Sequence, residues 1–291
     1  MESILISGLS GFVGLHLARF LQANTSYTII GVGRERKTVE GFPVFAYSDM
    51  DQSELWKETQ FKAFIHLAGA SIGEGKWTAA RKASLLASRV DQIPAIHEFL
   101  DRRGAAQIPV ISASGIGYYA ANGVVPSESS PKGNGFLSDL SAKWEEGVRT
   151  WFPHAQFVRT GLVVGKGGIL EKLNPLIRFG VLSPIGTGKQ GMSWIAMDDL
   201  VRIYHLLLEN PKLKVVNAVA PKAISNTEWT KHIMHHFGKK VLFPKVPGWL
   251  MYLVLGEQAT LVVDGAYVAS AVLDEFAFSA PSIKEALMQT G

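Results

Sequence analysis

Short apolar runs alternate with segments whose apolar residues recur every three or four positions, and this alternation fills the first half of the chain. Apolar runs at 3–7, 28–32, 62–67, 108–113 and 156–160 predict strands, and helical spacing predicts helices over 12–22, 78–102 and 136–151. Strands interleaved with helices imply a parallel sheet covered on both faces. Pro94 falls inside the second helical segment, which should kink or divide there because proline has no backbone N–H.

From Gly161 the pattern changes to Gly- and Pro-rich stretches, Gly165-Lys166-Gly167-Gly168 and Pro184-Ile185-Gly186-Thr187-Gly188, with a short helical segment between them. Residues 161–193 therefore read as loops over a site. Asp198-Asp199 is expected to start a helix over Leu200–Leu208, and Val215–Ala218 reads as a return strand. The stretch from about Pro221 has its own helices and no internal repeat.

Gly8, Gly11 and Gly14 follow the apolar run Ile4–Ser7 and open a segment in which Val13, Leu17, Phe20 and Leu21 share a helix face. A strand, a glycine turn and a helix in that order form a dinucleotide-binding turn. The first glycine turns the chain, the second admits a pyrophosphate, and the third lets helix approach strand. The helix N-terminus then faces the phosphates, with Phe12 and Val13 beside them. The expected fold is α/β, a Rossmann-type doubly wound parallel sheet over 1–220, with a smaller C-terminal substrate-capping subdomain over 221–291.

The second strand ends Val32-Gly33-Arg34. An acidic side chain at that tip accepts from the ribose 2′-hydroxyl of NAD; here Gly33 leaves room and Arg34 offers a fork that matches a 2′-phosphate. The expected cofactor is NADP(H).

With 47% hydrophobic and 19% charged residues among 291, the composition is that of a globular chain. No cysteine is present, which excludes disulfides and thiolate chemistry and suits a reducing cytoplasm. Glu2 stands where an export signal needs positive charge, and the run Trp249–Leu255 is too short to span a bilayer, so a cytoplasmic location and no membrane partner are expected. The formal charge of +4 is spread along the chain with no basic run interleaved with aromatics, which argues against nucleic acid. His232, His235 and His236 lack the glutamate of a zinc-protease motif, and Gly186–Gln190 lacks the Ser or Thr of a P-loop, so no metal is expected.

Several segments resemble the extended short-chain dehydrogenase/reductase superfamily in its sugar-nucleotide epimerase-like branch. They are the glycine turn, Phe64-Ile65-His66-Leu67-Ala68-Gly69, Ile111-Ser112-Ala113-Ser114 and Trp194–Leu200. Ser114–Tyr119, Phe136-Leu137 with Lys143-Trp144-Glu145, and Leu255-Gly256-Glu257-Gln258 resemble its atypical epimerase subfamily. The resemblance implies NADP contacts at Gly33, Arg34, Leu67, Ala68, Gly69, Ser84, Arg89 and Val163, besides Gly8, Gly11, Phe12, Val13 and Gly14. It implies hydride transfer at a nicotinamide coupled to proton transfer, with Ser114 on the substrate oxygen.

The superfamily's tyrosine, with a lysine four residues later, is absent. Counting from Ser114 places Asp139 and Lys143 at those positions; anchoring on Glu145 places Leu137 and Ser141 there. Tyr118 or Tyr119 is the nearest phenol in sequence and needs a neighbouring cation, for which Lys143 is the candidate; Lys143 could equally hold the nicotinamide ribose or lie on the helix surface. The expected function is an NADP(H)-dependent oxidoreductase or epimerase on a small carbonyl or sugar-derived substrate, as monomer or homodimer. The alternative is a non-catalytic NADPH-binding sensor.

Overall fold

The computed structural model describes residues 2–290 apart from 53–55, 57–58 and 122. Its first elements are β1 (Glu2–Ser7), α1 (Phe12–Asn24), β2 (Thr28–Gly33), β3 (Lys37–Val39), β4 (Phe42–Ala46) and β5 (Gln60–His66). Helices α2 (Ala79–Val90) and α3 (Ile93–Asp101), strand β6 (Val110–Gly115), helix α4 (Phe136–Trp151) and strand β7 (Gln156–Thr160) follow. Beyond them lie β8 (Leu162–Val164), α5 (Gly168–Arg178), β9 (Gly191–Met192), β10 (Trp194–Ala196), α6 (Met197–Glu209) and β11 (Val215–Ala218). The chain closes with β12 (Ile224–Ser225), α7 (Asn226–His236), α8 (Gly248–Leu255), α9 (Thr260–Val263) and α10 (Ile283–Met288).

Among the described residues the main sheet runs β11-β7-β6-β5-β1-β2-β4-β3, parallel except for the β3–β4 pair. Side chains alternate between its faces. Ile4 and Ile6 of β1, Ile65 of β5 and Val158 of β7 pack on Leu17 and Leu21 of α1 and Leu200, Ile203 and Leu207 of α6. Leu5, Phe64 and Phe157 face the opposite way, onto Ile96 and Phe99 of α3 and Trp144 and Val148 of α4. This is the doubly wound sheet that the sequence predicts.

The chain leaves β1 toward β2 and β4 on one side and later returns to fill β5, β6, β7 and β11 on the other. The carboxyl ends of β1 and β5 therefore flank the switch-point crevice in which ligands of such sheets sit. The long helical segment divides at Asp91-Gln92, and Pro94 sits in the first turn of α3, where a missing N–H costs nothing.

One expectation is corrected at α6. Asp198 and Asp199 do not precede the helix; it begins at Met197 with Ala196 as its cap. The Asp199 carboxylate, fully buried, accepts instead from the backbone N–H groups of Ser279 and Ala280 and from Arg202. It anchors the C-terminal stretch to the sheet layer. Nearby, α7 and α10 share a core of Trp229, Ile233, Met234, Ile283 and Leu287 with Trp194. Helix α8 is apolar and exposed, with Trp249 and Leu253 largely in solvent. Among the described residues no helix is long and apolar enough to cross a membrane.

Candidate functional site

Ser7 and His66, the last residues of β1 and β5, are register partners. Just beyond Ser7, Gly8 adopts φ +76°, a left-handed conformation that suits glycine. A Cβ there would stand 2.7 Å from the carbonyl carbon of Leu67 and 2.8 Å from the nitrogen of Ala68, so the two strand ends touch through their backbones. The N–H of Gly11 donates to the Gly8 carbonyl at 3.0 Å and closes the turn. Gly11 then caps α1 with no side chain, and the first turn of α1 carries no acidic residue.

The opening N–H groups of α1 are thus directed at the crevice with nothing negative before them, which suits an anionic group. Gly14 lets α1 come close: a Cβ there would lie 2.3 Å from the Gly8 oxygen. Phe12 turns its ring onto the loop before α5, and Val13 packs on the core. The glycine turn and the Leu67–Gly69 segment therefore form one wall.

Arg89 completes that wall from α2. It is 7% exposed, stacks on Trp144 at 4.8 Å, and lies against Gly69. Its Nη1 donates to the Leu85 carbonyl at 2.7 Å and to Ser88 Oγ, its Nη2 donates to the Ala70 carbonyl at 3.0 Å, and its Nε has no partner. Among the described residues no carboxylate pairs with it. Burial, with Arg81 adding, pulls its pKa down to about 10. A buried cation with an orphaned N–H and no counter-charge is costly, and an anionic or polar ligand group at this wall would offset that cost.

His66 fixes α2 to the strand ends. Its Nε2 donates to the Arg89 carbonyl at 2.8 Å, so Nδ1 accepts from the Ser7 hydroxyl at 2.7 Å. Burial pushes the His66 pKa down to about 4. The unfolded chain takes up this proton near pH 6.5, whereas the fold refuses it until about pH 4. Stability is therefore lost as pH falls from 6.5 to 4, by about 3 kcal/mol at 1.36 kcal/mol per unit. Urea midpoints across that window should fall less steeply for His66→Asn than for the natural chain; parallel slopes would refute this.

At the tip of β2, a Cβ on Gly33 would meet only Val44, at 3.5 Å. Arg34 beyond it is exposed and makes no ion pair among the described residues. It approaches Tyr47, whose pKa burial raises to about 12 against the opposing effect of Arg34. Ser84 is exposed on α2, and the hydroxyl that reaches the wall is Ser88, which accepts from the Ala70 N–H at 3.0 Å. Val163 is half-buried on β8 beside Ile195.

A buried polar cluster closes the carboxyl ends of β6 and β7. Arg159 Nε and Nη2 donate to Glu145 Oε1 and Oε2 at 2.8 and 2.9 Å, with side chains only 5% and 3% exposed. Ser114 Oγ donates to Glu145 Oε1 at 2.8 Å. Arg159 Nη1 donates to the Tyr119 oxygen at 2.8 Å, and the Tyr119 hydroxyl donates to Asn217 Oδ1 at 2.8 Å. The Tyr118 ring stacks on the Arg159 guanidinium at 3.4 Å.

Glu145 thereby settles which residues of α4 face the strand ends. Leu137 packs on Gly117 and Ser141 lies 4.0 Å from where a Cβ on Gly115 would stand, so the Glu145-anchored register is the one that faces β6. Lys143 starts two residues from Glu145, roughly 200° around the helix. It is exposed, near Asp139, and is not brought to Ser114. The cation beside Tyr118 is Arg159, which the sequence reading did not single out; its sequence signal is a charge directly after the apolar pair Phe157-Val158 of a strand. Among the described residues no group of three or more His, Cys, Asp or Glu could hold a metal ion.

Residues 4–135 match the model of the NAD dependent epimerase/dehydratase family, and residues 246–290 match one described as a domain of unknown function, DUF1731. The chain is 30% identical over 236 residues to an epimerase family protein of Mycobacterium bovis, covering 78% of this chain and 76% of that one. It is 28% identical over 306 residues to the chloroplastic SDR39U1 homolog of Arabidopsis thaliana, covering 98% and 85%. Its fold is similar to the crystal structure of human epimerase family protein SDR39U1 (isoform 2) with NADPH, at a TM-score of 0.86 and 27% identity, covering 100% and 99% of the two chains. The glycine turn, the switch-point crevice and the C-terminal stretch thus belong together, and the chain is a member of the NAD-dependent epimerase/dehydratase family, of the SDR39U1-like kind.

Proposed function

We propose that this protein binds NADP(H) across the switch point and acts as an oxidoreductase or epimerase on a small carbonyl or sugar-derived substrate, in the cytoplasm. The observation that carries the cofactor choice is the tip of β2, where an exposed Arg34 follows an open Gly33 and no carboxylate occupies the position. The NADPH in the human SDR39U1 structure supports the same reading. In it, Gly8, Gly11, Phe12, Val13 and Gly14 hold the pyrophosphate, Leu67, Ala68, Gly69, Ser84, Arg89 and Val163 border the nucleosides, and residues 221–291 cap the substrate.

When bound, the nicotinamide supplies or accepts a hydride. Ser114 contacts the substrate, and Tyr118, held against Arg159, moves the proton. Lys143 is left out, because α4 turns it to solvent. The sensor remains a second reading, favoured by Leu137 and Ser141 standing at the family's tyrosine and lysine positions. Turnover of NADPH on a carbonyl and sugar-nucleotide panel separates the two.

The Arg34→Ala substitution tests the cofactor. A charged hydrogen bond contributes about 1.5–3 kcal/mol, so NADPH affinity should fall roughly 10- to 100-fold while NADH affinity holds. Equal losses by calorimetry would sink the assignment.

A further inference from the structure

The buried cluster at the ends of β6 and β7 has a direction, because both of its hydroxyl protons, on Ser114 and Tyr119, are committed. Glu145 sits in a two-pronged grip with Arg159. Burial works against charge on Arg159, but its bonds to Glu145 and Tyr119 outweigh that and raise its pKa above the usual value. A carboxylate so held only accepts. The bond of 2.8 Å between Ser114 and Glu145 must then use the one proton that the serine has. The Tyr119 hydroxyl is committed in the same way, to Asn217, whose Nδ2 donates onward to the Ala269 carbonyl.

We propose that Ser114 meets the substrate as a hydrogen-bond acceptor, so that, of the pair that the proposed reaction interconverts, the member it holds is the hydroxyl (or an N–H) and not the carbonyl. This rests on the reading of Ser114 as the substrate-facing serine. With its proton on Glu145, the hydroxyl has only lone pairs left to offer a substrate. To donate to a carbonyl it would turn away from the carboxylate, exchanging a charge-assisted bond for a weaker neutral one. It would also leave a buried carboxylate lone pair unmet. The site thus favours the alcohol or amine member of a redox pair.

Neutron diffraction from the deuterium-exchanged full chain, without cofactor, reads the proton directly. The expected result is a deuteron on Ser114 Oγ aimed at Glu145 Oε1; a deuteron aimed into the crevice, or one on Glu145, overturns the proposal. Because no nucleotide is present, this outcome is independent of the NADP(H) assignment. Soaks with 2-propanol and acetone, the smallest matched alcohol and ketone, test the substrate side. The 2-propanol oxygen is expected within hydrogen-bond distance of Ser114 Oγ, and an acetone oxygen there instead counts against acceptance by Ser114.

Discussion

Replacing Arg159 with methionine should destabilise the protein by about 3–5 kcal/mol, the cost of leaving a buried charge without its close partner; among the described residues, the half-exposed Arg149 at 3.8 Å is all the positive charge that Glu145 keeps. Glu145 would lose both donors of the guanidinium while remaining 2% exposed, the Tyr119 oxygen would lose its donor, and Tyr118 would lose the plane on which it stacks. Urea denaturation measures this directly. A loss below about 1 kcal/mol, the level of an exposed pair, would mean that the cluster is solvated. The double variant Arg159→Met with Glu145→Leu should recover part of the loss, since apolar replacement of a whole buried pair is often neutral or stabilising. Chemical denaturation of both variants and the natural chain closes the cycle.

The second large effect is expected at Gly14. In Gly14→Ala the new Cβ would sit 2.3 Å from the Gly8 oxygen and 2.8 Å from the Cα and oxygen of Leu9, all backbone atoms that cannot swing away. Helix α1 must then withdraw from β1. Overpacking of this kind costs about 1–3 kcal/mol, and because the strain falls on the glycine turn itself, NADPH affinity should drop roughly 10- to 100-fold. Gly73→Ala, outside the glycine turn, is the control: its Cβ would meet only the Lys172 ammonium at 3.8 Å, an ordinary contact. If both variants bind NADPH alike by calorimetry, the glycine turn is not where the phosphates lie.

Strands β1, β2 and β5 were legible because each is buried on both faces and reads as a largely apolar run, and the helices between the strands repeat at their own period. The edge hairpin was not. Strands β3 and β4 join through Glu40-Gly41, where both residues take positive φ, and glutamate gives a weaker hairpin signal than Asn or Asp. Arg19 of α1 holds Glu40 in place, a partner that sequence distance hides. Asp199 shows the same blindness: its position beside a helix start suggested capping, whereas the backbone N–H groups it accepts from lie 80 and 81 residues away.

At the crevice, the glycine turn and Arg34 could be read locally, since a βα turn and a strand tip are contiguous pieces of chain. Arg89 could be flagged as a charge on an apolar face, but its lack of a counter-charge among the described residues is a statement about everything around it.

By itself, the sequence determined the order of the central strands and the helices between them, the place of the glycine turn, and the absence of the family's tyrosine. Only the tertiary structure decided which face of α4 meets β6. A helix turns 100° per residue, so a shift of two positions exchanges the core face for solvent, and the choice between Ser141 and Lys143 waits on what Glu145 finds across the sheet. It finds Arg159 on β7 and Ser114 on β6, three residues that charge pairing and burial hold together although 31 and 14 positions separate Glu145 from its partners.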